Sequence, residues 1–287
     1  YAPNTKNSLV EFLKKRGYSN EEAKEAGLVN RFEGDLFKGR MMIPFLDPNT
    51  GDVIGFTGRI IEKGEPKYLN TPETRLFNKG RFIFGLYQAK ESIRKNNFVV
   101  IVEGNMDVIS SHQAGVKEAV ATSGTAMTEN HLKILSRLTS DIRLAYDGDE
   151  AGIKAAERAI MLAGKIGISL SVISGYGDAK DPDELIKIDP KLWQACVEER
   201  MPAVDWILRK YESKLNLMTG PGKKEYSDMA MKIISYIEDP VERKHYEQMV
   251  ARKLDVTVED LQAKKITAET VRLKPVATSD QGADDSG

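Results

Sequence analysis

Three short acidic clusters carry the residues best suited to chemistry. Glu103 and Asp107 lie in Val102-Glu103-Gly104-Asn105-Met106-Asp107. Asp147 and Asp149 lie in Asp147-Gly148-Asp149-Glu150-Ala151-Gly152. Asp181 and Asp183 lie in Asp178-Ala179-Lys180-Asp181-Pro182-Asp183-Glu184. Each cluster follows an apolar run, at residues 98–102, 142–146 and 169–173. If those runs are neighbouring parallel strands, six carboxylates converge on one sheet edge. Alone, such like charges repel and raise one another's pKa. A divalent cation relieves the repulsion, since Mg²⁺ prefers hard oxygen ligands and keeps several waters. Two ions ~3.5–4 Å apart can activate one oxygen and neutralise another in a phosphoryl displacement. Taken singly, each cluster has an ordinary reading. Asp147-Gly148-Asp149 also reads as a turn, and Asp181-Pro182-Asp183-Glu184 as a helix N-terminus, where acids suit the dipole. Glu103 alone reads as a strand end. Their joint occurrence after successive apolar runs points to metal binding.

The elements that must position these groups alternate. Phe98–Val102, Ala119–Ala121, Ile142–Tyr146 and Ser169–Ile173 read as strands. Helical spacing separates them, around Val108, Ile109 and His112, around Leu132, Leu135 and Leu138, and over Ala151–Ile166. Alternation of this kind predicts a mainly parallel sheet covered on both faces, with its site beyond the carboxyl ends of the strands. Gly104 and Gly148 are expected to let the backbone turn sharply there.

Earlier in the chain, residues 7–27 are helical in pattern, with Ser19 and Glu22 forming a capping box. Met41–Leu46 and Val53–Ile61 read as strands joined by the turn Asp47–Asp52. Residues 63–82 are turn-rich. Beyond Asp189 the pattern is helical: Leu192–Glu199, Ala203–Leu217, Tyr226–Glu238, Pro240–Leu254 and Val258–Lys264. Gly220-Pro221-Gly222 and Asp239-Pro240 read as the breaks between them. The expected division is a basic α+β subdomain over 1–83, a catalytic subdomain over 84–190, a helical subdomain over 191–268 and a disordered tail over 269–287.

Composition narrows the classes further. The 287 residues are 41% hydrophobic and 30% charged, an ordinary globular balance. A single cysteine, Cys196, excludes an intrachain disulfide and a cysteine-built zinc site, and fits a reducing, cytoplasmic compartment. It reads as a buried helix residue. No apolar run reaches the ~18–20 residues of a membrane span. Net charge is −1, yet residues 1–100 carry about +5 and residues 101–200 about −5. A basic lobe beside an acidic one could seat a polyanion against metal. The chain opens on Tyr1 and reads as a fragment of a larger protein.

The clusters around Glu103 and Asp147 resemble the Toprim fold shared by topoisomerases and bacterial primases. Pro66-Lys67-Tyr68-Leu69-Asn70-Thr71-Pro72-Glu73-Thr74, Phe77-Asn78-Lys79-Gly80-Arg81 and Gly85-Leu86-Tyr87 resemble a segment particular to bacterial replicative primases. Met41–Pro44 and Gly55-Phe56-Thr57-Gly58-Arg59 fit the same family. The resemblance covers residues 1–268 and implies the RNA polymerase core of a primase. It places the family's zinc-binding and helicase-interaction domains outside this chain. Asn105 departs from the pattern, since many relatives carry tyrosine there.

By that resemblance, Glu103 ends the first strand with a metal-binding or acid/base role. Asp147, Asp149 and Asp181 are metal-site carboxylates, Asp183 is a further member, and Asp107 ranks lower. Arg40, Arg59, Lys67, Asn70, Lys79 and Arg81 border the site and would meet nucleotide or template. The implied activity is DNA-directed RNA synthesis of short primers at the bacterial replication fork. Its cofactor would be Mg²⁺, replaceable by Mn²⁺, with two or more ions. Its partners would be single-stranded DNA, ribonucleoside triphosphates, the RNA–DNA hybrid, the replicative helicase and inhibitory guanosine polyphosphate alarmones, with no membrane. The residue types agree: arginine clamps phosphate oxygens through a fork and lysine acts as a point charge. Tyr68 reads as a rim or core tyrosine, and His112, His131 and His245 as structural. Two other classes stay open, a Toprim enzyme that cleaves DNA and a non-catalytic DNA-binding module.

Overall fold

The computed structural model describes residues 1–263 apart from Ser174, Asp178 and Lys180. The expected tail over 269–287 lies outside them. The elements in chain order are α1 (Ser8–Lys15), α2 (Asn20–Glu25), β1 (Arg40–Leu46), β2 (Val53–Ile60), β3 (Tyr68–Asn70), α3 (Leu86–Asn96), β4 (Val99–Val102), α4 (Asn105–Gln113), β5 (Ala119–Ala121) and α5 (Glu129–Leu135). Then follow β6 (Ile142–Ala145), α6 (Glu150–Gly164), β7 (Leu170–Ile173), α7 (Pro182–Ile188), α8 (Pro190–Glu198), β8 (Arg200–Pro202), α9 (Ala203–Lys214), α10 (Gly220–Ile234) and α11 (Pro240–Leu254). No described helix is long and apolar enough to cross a membrane.

The chain divides into two compact units, Tyr1–Lys210 and Tyr211 onward. The first holds both sheets. β1, β2 and β3 form an antiparallel sheet in that order, with Arg59 opposite both Met41 and Tyr68, and Asn70 opposite Thr57. The larger sheet has the order β5-β4-β6-β7-β8 and is parallel except at β8. All four residues of β4 are buried, which explains its uninterrupted Val-Val-Ile-Val. Val102 pairs with Ala121 on one side and Ala145 on the other, so Glu103 and Tyr146 leave the sheet at the same edge. The α/β reading of the sequence is therefore what the chain adopts.

Several local readings differ. Residues 63–82 contain the short strand β3. The stretch beyond Asp189 is not wholly helical, because Arg200–Pro202 pairs antiparallel with β7. Gly220-Pro221-Gly222 does not break a helix but begins α10. Thr219 caps it by accepting the Gly222 N–H at 3.2 Å, and proline is harmless in the first turn, where its missing N–H has no partner to lose. Leu138 falls beyond the end of α5. The Ser19–Glu22 capping box forms as expected.

The three-stranded sheet is held to the larger one by apolar packing. Phe45 of β1 stacks on Phe77 with ring centroids 5.1 Å apart and on Phe82 at 4.6 Å. These rings share one buried cluster with Val100, Val102 and Trp193. At the far flank Phe84 exchanges two backbone hydrogen bonds with Ala121, at 2.8 and 3.1 Å. In the second unit α10 packs on α11, with Lys223 donating to the Leu254 carbonyl at 2.6 Å.

Neither Gly104 nor Gly148 adopts a left-handed φ, and Gly104 sits at −119°. The glycine that space demands is Gly152. A Cβ there would lie 2.0 Å from the Asp147 carbonyl oxygen, so α6 reaches the end of β6 only through a residue without a side chain. Gly152→Ala is expected to destabilise the protein by about 1–3 kcal/mol, read as a lower urea midpoint. An unchanged midpoint would show that the contact is relaxed at no cost.

Candidate functional site

The acidic clusters meet at the carboxyl edge of the larger sheet. Glu103 follows β4, and its Oε1 accepts the Asp147 N–H at 3.0 Å, tying the ends of β4 and β6 together. Asp107 sits one turn into α4 and accepts the Gly104 N–H at 2.9 Å. Asp149 is the N-cap of α6 and accepts the Gly152 N–H at 2.8 Å. Asp181 is the N-cap of α7 and accepts the Glu184 N–H at 2.7 Å. Each cap commits one carboxylate oxygen to a helix end, which matches the helix N-terminus read at Asp181, whereas Asp149 opens a helix as well as ending a turn.

Electrostatics shows that the clusters share one field. The Asp147 carboxyl is pushed up to about 6, first by burial and then by the charges of Glu103, Asp181, Asp149 and Asp107. Asp107 is also pushed up to about 6, by burial and by Asp181, Asp183 and Glu103, against the opposing pull of the Gly104 N–H. Asp183 moves the other way. Lys187 donates to it at 2.6 Å and Ser110 at 2.7 Å, and both hold it ionised. Ser110 and Lys187 escaped the sequence reading. Their only signal was spacing, three residues after Asp107 and four after Asp183 on predicted helices.

The basic groups do not all gather in one place. Arg59 and Tyr68, opposite each other on β2 and β3, reach the carboxylate field. The Arg59 charge helps keep Asp183 ionised. Burial raises the Tyr68 phenol, Asp107 and Asp183 raise it further, and Arg59 pulls it down. Arg59 lies 5.8 Å and Lys67 6.0 Å from the Tyr68 ring centroid, so Tyr68 is a rim residue carrying two cations. Asn70 Nδ2 donates to the Ser123 carbonyl at 3.1 Å, and Ser123 Oγ donates to Asn105 Oδ1 at 2.8 Å. That chain joins β3 to the start of α4, directly after Glu103. Asn105 thus has a buried bridging role, and the Asn70 Oδ1 atom is buried with no partner among the described residues.

Arg40 is buried and donates to the carbonyls of Gly58 at 2.9 Å and Lys67 at 3.4 Å. Its guanidinium holds the small sheet together. The loop at Lys79 is fixed by its own backbone. Its N–H donates to Glu73 at 2.9 Å, and its carbonyl meets His131 Nε2 at 3.2 Å. Arg81 lines a separate cavity that includes none of the six clustered acids. The three histidines are structural: His112 contacts the Ala119 carbonyl, His131 is buried against the Lys79 loop, and His245 lies against Tyr246.

Among the described residues no three His, Cys, Asp or Glu side chains are gathered tightly enough to enclose an ion by themselves. The donor set nonetheless suits Mg²⁺. That ion takes oxygen ligands, often one or two carboxylates completed by water and substrate phosphates rather than a protein cage. Burial first and neighbouring acidic charge second raise two of its carboxyls to about 6, and a bound cation would favour their ionised forms.

Comparison with known proteins agrees with this layout. Residues 1–90 match the family described as the DNA primase catalytic core, N-terminal domain, and residues 100–186 match a Toprim-like family. Residues 204–259 match a family described as the DnaB-helicase binding domain of primase. That corrects the expectation that the family's helicase-interaction domain lies outside this chain. The DNA primase of Listeria monocytogenes is 35% identical over 269 residues, covering 91% of this chain and 43% of its own. This chain therefore spans less than half the length of that curated relative. A DNA primase domain from Pseudomonas aeruginosa superposes with a TM-score of 0.79 at 30% identity, over 91% of this chain and 84% of that one. A DnaG primase catalytic domain bound to ssDNA superposes at 0.78 and 32% identity, with the same two coverages. Two consecutive family matches, laid over a basic antiparallel sheet and a parallel sheet edged with acids, show that the chain belongs to the bacterial DNA primase catalytic-core family.

Proposed function

We propose that this chain synthesises short RNA primers on single-stranded DNA by joining ribonucleoside triphosphates. The observation that carries the reading is the shared field at the sheet edge, where Asp107 and Asp147 are raised to about 6 and Arg59 and Tyr68 look onto the same acids. Glu103, Asp147, Asp149, Asp181 and Asp183 are the residues that would hold divalent ions. When bound, Mg²⁺ or Mn²⁺ would supply positive charge for the hydroxyl being activated and for the departing pyrophosphate.

The chain's own groups do the rest. The edge orients a primer 3′-hydroxyl toward the α-phosphate; the new O–P bond forms as the bond to pyrophosphate breaks. Glu103 keeps Oε1 on the Asp147 backbone and so fixes the spacing of the two strand ends. Asp149 and Asp181 each keep one oxygen on a helix N-terminus, which sets the direction of the other. Arg59, Lys67 and Lys79 would contact triphosphate or template phosphates, a sequence-independent and salt-sensitive grip. Asn70 positions the edge through Ser123 and Asn105. The same grip on linked phosphates would admit guanosine polyphosphates as competitors of the triphosphates. The match over residues 204–259 supports a replicative helicase as partner.

Asparagine substitution separates the cap from the ligand, because asparagine still caps a helix but brings no charge. Asp149→Asn is expected to change unfolding free energy by no more than about 0.5 kcal/mol while abolishing pyrophosphate release from nucleotides and a single-stranded template. Full activity at saturating Mg²⁺ would remove Asp149 from the ligand set. Plasmid nicking or relaxation in place of synthesis would favour a DNA-cleaving Toprim enzyme.

The raised carboxyls set a pH dependence. The folded chain binds the Asp147 proton more tightly than the unfolded chain, so metal-free protein loses stability as pH climbs from about 4 to about 6. At pH 7 without metal, Asp147→Asn is expected to melt about 1–3 °C above the parent chain, with the gap closing below pH 4. Mg²⁺ should raise the parent's melting temperature and leave that of the variant nearly unmoved. A parent that melts higher than the variant in chelator at pH 7 would contradict the shared field.

Lys67→Ala and Lys79→Ala should each raise the apparent KM for nucleotide or template roughly fivefold without changing Mn²⁺ binding at the acids. Loss of Mn²⁺ binding in either variant would overturn the division between cationic and acidic groups.

A further inference from the structure

A second cavity lies away from the carboxylates. Its volume is about 570 Å³, and its walls come from the β1–β2 turn, the loop over residues 75–83, one face of α3 and the chain just after α5. Five cationic side chains line it, Arg75, Arg81, Lys90, Arg94 and Arg137, against the single carboxylate of Asp47. That carboxylate is already engaged, accepting the N–H groups of Asn49 at 2.8 Å and Thr50 at 3.0 Å.

The cations are unevenly committed. Lys90 donates to the Pro48 carbonyl at 2.9 Å, and Arg94 pairs with Glu91 at 2.9 Å on the surface. Arg75, Arg81 and Arg137 are exposed and have no hydrogen-bond or ion-pair partner among the described residues. Three unpaired guanidiniums around one cavity leave it with an excess of positive charge, and the guanidinium fork matches phosphate oxygens two at a time.

Position and shape define the ligand. Arg94 and Arg137 lie just before β4 and β6, at the amino ends of the strands, whereas the acids follow the carboxyl ends. The cavity is therefore distinct from the proposed catalytic edge. Its size is that of a small-molecule site. The aromatic rings in its lining, Phe77 and Phe82, are 1% and 6% exposed, so no ring is offered as a platform on which the bases of a strand could stack. We propose that this cavity is a second anion site that takes a compact ligand carrying two or more linked phosphates. Inorganic polyphosphate and nucleoside polyphosphates share that chemistry. The proposal does not depend on the primer-synthesis reading.

The test is calorimetric titration of the whole chain in excess EDTA, which removes any phosphate binding that needs a divalent ion at the acids. Tripolyphosphate, ATP and a short single-stranded oligonucleotide are titrated separately at constant ionic strength. Saturable one-to-one binding of tripolyphosphate is expected. Arg75→Ala and Arg137→Ala should each weaken it about fivefold or more, and the double variant should lose it. Asp147→Asn should leave it unchanged. ATP binding as tightly as tripolyphosphate assigns recognition to the phosphates alone, and markedly tighter binding of ATP adds the nucleoside to the ligand. Absence of saturable binding, retention in the double variant, or binding of the oligonucleotide alone would each overturn the proposal.

Discussion

The constraint on which the rest of this molecule depends is the gathering of partly buried carboxylates at one sheet edge. Burial first, and the charges of neighbouring acids second, make ionised Asp107 and Asp147 costly there, as their upward shifts record. The fold opposes that cost with features at some remove from the acids. Continuous apolar strands, β4 above all, bury their surface against both helical layers and hold the strand ends in register. Backbone N–H groups at the starts of α6 and α7 take one oxygen each from Asp149 and Asp181. Ser110 and Lys187 stabilise Asp183 alone. The outcome is graded: two carboxyls strained toward protonation beside one held ionised.

The small sheet and the larger one are joined by both apolar and polar contacts. The phenylalanine cluster around Phe45 and Phe77 carries the packing. Polar links are the Lys90 donation to the Pro48 carbonyl and the chain from Asn70 through Ser123 to Asn105, which reaches the residue two beyond Glu103. A change on β3 can therefore move the acidic edge without touching any acid. Asn105 is half of that link.

Much of this was readable from the residues. The parallel strands were legible because each is a short, mostly apolar run, broken only by Arg143 in β6 and Ser171 in β7, and the acids were legible because they recur at the ends of those runs. β3 and β8 were not. Each is three residues long, too short to show a period of two, and each exists only through its neighbour, β2 or β7. Gly220-Pro221-Gly222 misled because proline and glycine mark both a break and a first helical turn. Gly152 stands in the motif after β6, but its need comes from the path of that turn, which sets the Asp147 carbonyl 2.0 Å from where a Cβ would stand. Arg40 has the type and position of a ligand-binding cation, and only its burial against Gly58 and Lys67 shows that it braces a sheet.

The edges of the larger sheet have a consequence for assembly. An open strand edge is a row of unpaired peptide groups that invites another chain to pair with it. Here β7 is covered by β8, a strand of three residues that turns the direction of pairing and ends in Pro202, which has no N–H to offer. At the opposite side the two backbone bonds between Phe84 and Ala121 occupy β5. Among the described residues each flank is therefore a short edge, three residues of β8 on one side and a β5 already bonded at Ala121 on the other. A partner that added a strand here would find few backbone groups to pair with, and side chains and loops would supply the larger share of its contact.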